Sequence, residues 1–70
     1  MKIAILGNGG REHALAVNIS KSSRVKKLYC IPGNAGTNLI AENVKLDFYD
    51  FEKLEKFVKE NDISLVIVGP

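Results

Sequence analysis

The sequence predicts an α/β fold, a doubly wound parallel sheet with helices on both faces, and three observations carry that prediction. Predominantly apolar runs recur at residues 3–6, 27–31 and 63–68, the first of them unbroken. Segments with helical apolar spacing lie between them, at residues 11–19 and 51–60. The first run breaks off at Gly7-Asn8-Gly9-Gly10, where a strand turns directly into a helix. Strands apolar on both faces belong to buried parallel sheets. Strands alternating with helices are joined by right-handed crossovers.

The first strand is Ile3-Ala4-Ile5-Leu6. In the segment that follows, Ala14, Leu15, Asn18 and Ile19 recur at helical spacing, and Ser20-Lys21-Ser22-Ser23 ends it as a polar turn. Lys27-Leu28-Tyr29-Cys30-Ile31 reads as the second strand. The dense punctuation of Pro32-Gly33-Asn34-Ala35-Gly36 makes a loop, and residues 37–41 suit a helical turn. Asn43-Val44-Lys45-Leu46 reads as a short third strand.

Asp50 is placed to cap the second helix, its carboxylate accepting from free N–H groups of the first turn. Phe51, Leu54, Phe57 and Val58 share one face of that helix. Glu52 and Lys56 have the spacing of a favourable ion pair. Asn61-Asp62 ends the helix, and residues 63–68 form the fourth strand, cut off by Gly69-Pro70.

The resulting order, β-α-β-turn-β-α-β, predicts a Rossmann-like sheet with strands in the spatial order 3-2-1-4. Ligands in such sheets lie beyond the carboxyl ends of the strands, at the switch point between strands 1 and 4. Three loops meet there: residues 7–11, residues 32–37, and Gly69-Pro70. No helix follows the fourth strand to cover the sheet, so the expected unit is a truncated domain spanning residues 1–70.

Composition narrows the function. The 70 residues suffice for one small domain. The chain is 46% hydrophobic and 26% charged, ordinary values for a globular protein. Ten basic against eight acidic residues give a net charge of +2 with no dense basic cluster, which argues against nucleic acid or a membrane surface as partner. The single cysteine, Cys30, sits in an apolar run and reads as a buried structural thiol. No Cys/His ligand spacing is present, and no metal ligand is assigned. Met1-Lys2 leads straight into a strand rather than a signal segment, so cytoplasmic residence is expected.

The glycine loop carries the chemistry. Gly7 permits a tight turn, and Gly9 and Gly10 let a ligand approach the backbone. The free N–H groups of the next helix favour an anion, with phosphate the obvious guest. Arg11 is placed to help hold an oxyanion or to sit in solvent. Glu12 complements the helix dipole and is able to accept from ribose hydroxyls. His13 reads as a packing or capping residue, and no residue is assigned as catalytic.

Two alternatives compete. A dinucleotide-binding module of an oxidoreductase wants a glycine or alanine where Glu12 stands, and an acidic residue where Ile31-Pro32-Gly33 stands. A purely structural domain would leave the loop without a ligand.

Taken together, Gly7-Asn8-Gly9-Gly10-Arg11-Glu12-His13-Ala14, Pro32-Gly33-Asn34-Ala35-Gly36-Thr37 and Val66-Ile67-Val68-Gly69-Pro70 resemble the start of the phosphoribosylamine–glycine ligase family, within the ATP-grasp enzymes. The resemblance covers essentially the whole chain. It implies the amino-terminal preATP-grasp domain of a purine-biosynthetic ligase. That enzyme would use ATP to phosphorylate glycine, and the amine of 5-phosphoribosylamine would attack the acyl phosphate to give glycinamide ribonucleotide.

By the same resemblance Gly9, Gly10, Arg11, Glu12, Gly33, Asn34, Gly69 and Pro70 line the phosphoribosylamine site. Whether they meet its phosphate or its ribose stays open. ATP and magnesium or manganese belong to later domains, with none expected on these 70 residues, which alone are expected to be inactive. Self-association through an open sheet edge is expected.

Overall fold

The computed structural model describes residues 1–68. The expected positions Gly69 and Pro70 lie outside the described residues. Four strands form one parallel sheet: β1 (Lys2–Gly7), β2 (Lys27–Pro32), β3 (Glu42–Asn43) and β4 (Leu65–Val68). Their spatial order is β3-β2-β1-β4, as the alternation of runs and helices predicts. The helices are α1 (Gly10–Ser20) and α2 (Phe51–Glu60), with a 3₁₀ turn at Thr37–Leu39.

β1 is the centre of the molecule. Its register places Ile5 beside Cys30 on one flank and beside Ile67 on the other. Side chains alternate between faces along a strand, and here the alternation divides the core in two. Ile3 and Ile5 join Leu28, Cys30 and Ala16 beneath α1, with Leu15 and Ile19 packed alongside. Ala4 and Leu6 join Tyr29 and Ile31 on the α2 face, with Leu54 and Phe57 against them.

The stripe of α1 differs from the expected one. Ala14 and Asn18 face solvent, while Ala16 is completely buried. A residue without a long side chain lets the helix lie close on the sheet, and Leu15 and Ile19 flank that contact.

The third strand is shorter than expected and begins earlier, at Glu42 rather than Asn43. The reason lies in its neighbour. The Val44 N–H donates to the Cys30 carbonyl at 2.9 Å. The next rung of a parallel ladder would require an N–H from residue 32, and Pro32 has none. The ladder stops, yet the alternation persists: Val44 and Leu46 still pack into the α2-side core while Lys45 points to solvent.

In α2, Asp50 caps as expected, its Oδ1 accepting from the Lys53 N–H at 3.2 Å. Phe57 meets Tyr29 edge to face, with ring centroids 5.1 Å apart. The helix ends at Asn61, whose side-chain amide donates to the Phe57 carbonyl at 2.9 Å, and Asp62 follows in the left-handed region with φ 52°.

Two expectations for α2 are corrected. Phe51 is 75% exposed and belongs to neither core cluster. Glu52 and Lys56 do not pair; Lys56 lies 3.7 Å from Glu60, and Glu55 takes Lys59 at 2.9 Å. All these side chains are exposed, where such pairs are worth little. β4 also starts later than expected, at Leu65, with residues 63–64 leading in through a Ser64 N–H to Lys2 carbonyl bond of 2.8 Å.

Cys30 is 1% exposed, as its apolar context predicts, and burial pushes its thiol pKa up, partly offset by a contact with Thr37. The neutral thiol is a poor nucleophile. The Asp50 cap has a direct energetic consequence. Asp50→Ala is expected to lower stability by about 1 kcal/mol, read as a lower urea midpoint with unchanged slope.

Candidate functional site

The carboxyl ends of β1 and β2 are joined before their loops separate. The register ends on Gly7 beside Pro32, and the Gly33 N–H then donates to the Gly7 carbonyl at 3.1 Å. Both glycines are in conformations that other residues adopt rarely, with φ 144° at Gly7 and 74° at Gly33. The Ile31–Pro32 peptide between the strand and its loop is cis.

A second tie lies above the first. The Asn34 side-chain amide donates to the Asn8 carbonyl at 2.9 Å, linking the tip of the glycine loop to the loop after β2. The other half of the same side chain faces inward, where Oδ1 accepts from the Thr37 N–H at 2.9 Å.

Thr37 and Asn43 complete the clamp, and sequence reasoning gave neither a role in it. Thr37 is 1% exposed; its hydroxyl accepts from the Asn34 N–H at 2.8 Å and contacts Asn43 Oδ1 at 2.7 Å. Asn43 in turn donates to the Asn34 carbonyl at 2.7 Å. A buried hydroxyl must find partners, so a threonine inside an otherwise packed turn was the available signal. Gly33 is held tightly among these groups, since a Cβ there would come within 2.7 Å of the Thr37 hydroxyl. His13 serves packing, as expected: its ring lies against Gly36, with Nδ1 2.7 Å from where a Cβ would stand.

Beside this joint a cavity of about 500 Å³ opens beyond the ends of β1 and β4, at the switch point where the fold places ligands. Gly7, Asn8 and Glu12 form its polar wall. Phe48, Tyr49, Phe51 and Val68 belong to its apolar wall, and the Phe48 and Tyr49 rings lie 4.8 Å apart.

The residues singled out from sequence divide around this cavity. Glu12 lines it. Gly9 and Gly10 stand at the junction with α1, whose first turn has no side-chain cap. Gly10 is open, since no atom lies within 4 Å of where its Cβ would be, and Arg11 is exposed. Gly33 and Asn34 lie behind the loop and hold it, rather than lining the cavity.

The apolar wall went unread because Phe51 has the helical spacing of a core residue and Tyr49 lies outside any strand or helix pattern. Among the described residues no group of three His, Cys, Asp or Glu side chains is arranged to hold a metal ion.

Asn43 is the keystone of the clamp. Asn43→Ala removes one partner each from Thr37 Oγ1 and the Asn34 carbonyl, which keep each other at 3.0 Å, and is expected to cost about 1 kcal/mol, the net worth of an ordinary hydrogen bond. Hydrogen exchange is expected to quicken at Asn34 and Thr37 more than in β1.

Comparison with known proteins agrees with this architecture. The family model for phosphoribosylglycinamide synthetase, N domain, matches residues 1–70. The phosphoribosylamine–glycine ligase of Caldanaerobacter subterraneus subsp. tengcongensis is 49% identical over 70 residues, covering 100% of this chain. That of Pasteurella multocida is 51% identical over 72 residues. The chain spans only 17% of the length of either relative. The crystal structure of the phosphoribosylamine–glycine ligase from Thermotoga maritima superposes with a TM-score of 0.78 at 30% identity, over 100% of this chain and 16% of that one. With its strand order, its glycine loop and its full-length match to the N domain, the chain belongs to the phosphoribosylglycinamide synthetase family.

Proposed function

We propose that the chain forms one wall of the phosphoribosylamine site of a phosphoribosylamine–glycine ligase, as its amino-terminal preATP-grasp domain. The observation that carries the proposal is the joined pair of loops at the switch point, Gly33 bonded to Gly7 and Asn34 to Asn8, beside an open cavity. A small polar substrate needs such a shaped edge, with main-chain groups held in place before it arrives.

In the proposed reaction the carboxylate of glycine attacks the terminal phosphorus of ATP, giving glycyl phosphate and ADP. The amine of 5-phosphoribosylamine then attacks the acyl carbon and phosphate leaves, forming glycinamide ribonucleotide for purine biosynthesis. ATP, its magnesium or manganese, and glycine would be held by regions matching the remaining length of the relatives. The role of these 70 residues is to bind and orient the sugar phosphate. Gly9, Gly10, Arg11, Glu12, Gly33 and Asn34 are the residues proposed for it, with Gly69 and Pro70 at the margin. Catalysis by these residues alone is not proposed.

No helix among the described residues is long and apolar enough to cross a membrane. Residence in the cytoplasm is part of the same proposal.

Two measurements test this reading. Ribose 5-phosphate, a stable substitute for the amine, is expected to move the amide NMR signals of Gly9, Gly10 and Arg11, while NAD leaves them in place. Shifts with NAD alone, or with neither, would count against it. The second concerns β4, whose outer edge pairs with no strand among the described residues, and whose Leu65 and Val68 are 45% and 69% exposed. Sedimentation at millimolar concentration is expected to show reversible self-association through that edge. A strict monomer would remove that part of the proposal.

A further inference from the structure

Glu12 is placed where a ligand would be expected. The side chain of this third residue of α1 folds back over the glycine loop. A Cβ at Gly7 would come within 2.5 Å of its Oε1, and a Cβ at Gly9 within 3.0 Å of its Oε2. In dinucleotide-binding loops the corresponding freedom from side chains lets the backbone approach a pyrophosphate. In this chain the room over Gly7 and Gly9 is taken by a carboxylate.

That carboxylate has no hydrogen-bond or ion-pair partner among the described residues. A glutamate at the third helical position commonly returns to the N-cap amide and bonds it. No such bond from the Gly9 N–H is formed. Glu12 is half-buried and lines the cavity with Gly7 and Asn8. An ionised carboxylate only accepts hydrogen bonds, so it suits hydroxyls or an ammonium group and repels phosphate oxygens.

We propose that Glu12 is a specificity-determining residue of this site: its carboxylate receives the donor groups of the sugar or amine, and keeps phosphate away from the glycine loop. The inference rests on the reading of the cavity as part of a phosphoribosylamine site and deepens it. The substrate is oriented with its hydroxyl or amino side toward Gly7 and Glu12. Its phosphate points away from the loop, out of the polar wall.

The test is an amide NMR titration of the 70-residue chain with inorganic phosphate, comparing the unaltered protein with Glu12→Gln. Glutamine has nearly the same shape and can still reach the N-cap amide, so a merely structural role survives the change while the charge does not. In the unaltered chain, phosphate is expected to leave Gly9, Gly10 and Arg11 unmoved. In Glu12→Gln it is expected to shift all three saturably, with affinity gained by about tenfold or more. Glu12→Ala serves the same purpose should the glutamine variant fail to fold.

Phosphate shifting these amides in the unaltered chain as strongly as in the variant overturns the proposal. So does the absence of any gain in both variants. Ribose 5-phosphate is run in parallel on the unaltered chain. Its failure to shift any amide would remove the phosphoribosylamine reading, while the phosphate comparison still decides the role of Glu12.

Discussion

The burial of β1 between two parallel neighbours is the constraint on which everything else rests. Four consecutive residues, from Ile3 to Leu6, are at most 5% exposed. A strand so enclosed is locked in register, because a slip of one residue would exchange its two faces and displace both helices. Its carboxyl end is therefore a fixed point. Gly7 leaves the sheet beside Pro32, and the loops that follow inherit their spacing from the strands beneath.

Energetically the molecule has a strong centre and weaker margins. The two core clusters share the sheet as a common floor, so substitutions in β1 are felt on both sides. α2 is held by Leu54 and Phe57 and by its contact with Tyr29, while its charged residues face water in pairs that add little. β3 is two residues long, and its attachment depends as much on the Asn43 side chain as on its ladder.

Most of the architecture was legible because it follows from periodicity. The apolar runs and the two helical segments fix what can be strand or helix, and the alternation of the two forces a parallel order. The capping role of Asp50 was visible for a local reason: a carboxylate just before a helix has free N–H groups within reach. The errors arose where a distant partner decides. Asn43 to Leu46 reads as a strand in isolation, but Pro32 cannot supply the donor the ladder needs. Phe51 has the spacing of a core residue, yet an open cavity separates it from the sheet residues Leu6, Val66 and Val68, and it stays exposed. The site was legible as a set of loops and not as a surface. Asn34 was legible as a loop residue of the site, but not the engagement of its side chain with Asn8 and Thr37. Its bonding could be found only by folding the chain.

The clamp around Asn34 has a consequence for timing and cost. Loops that order themselves around an incoming molecule surrender conformational freedom at that moment, and the loss is subtracted from affinity. Here the freedom has already been given up during folding. Asn34, Thr37 and Asn43 bond one another, and Asn34 then steadies the glycine loop through the Asn8 carbonyl. The second loop is thus rigid scaffolding for the first, and its stiffness is independent of whether anything is bound. Such an edge meets its guest as a die rather than a glove, so recognition there is a matter of matching a shape set in advance.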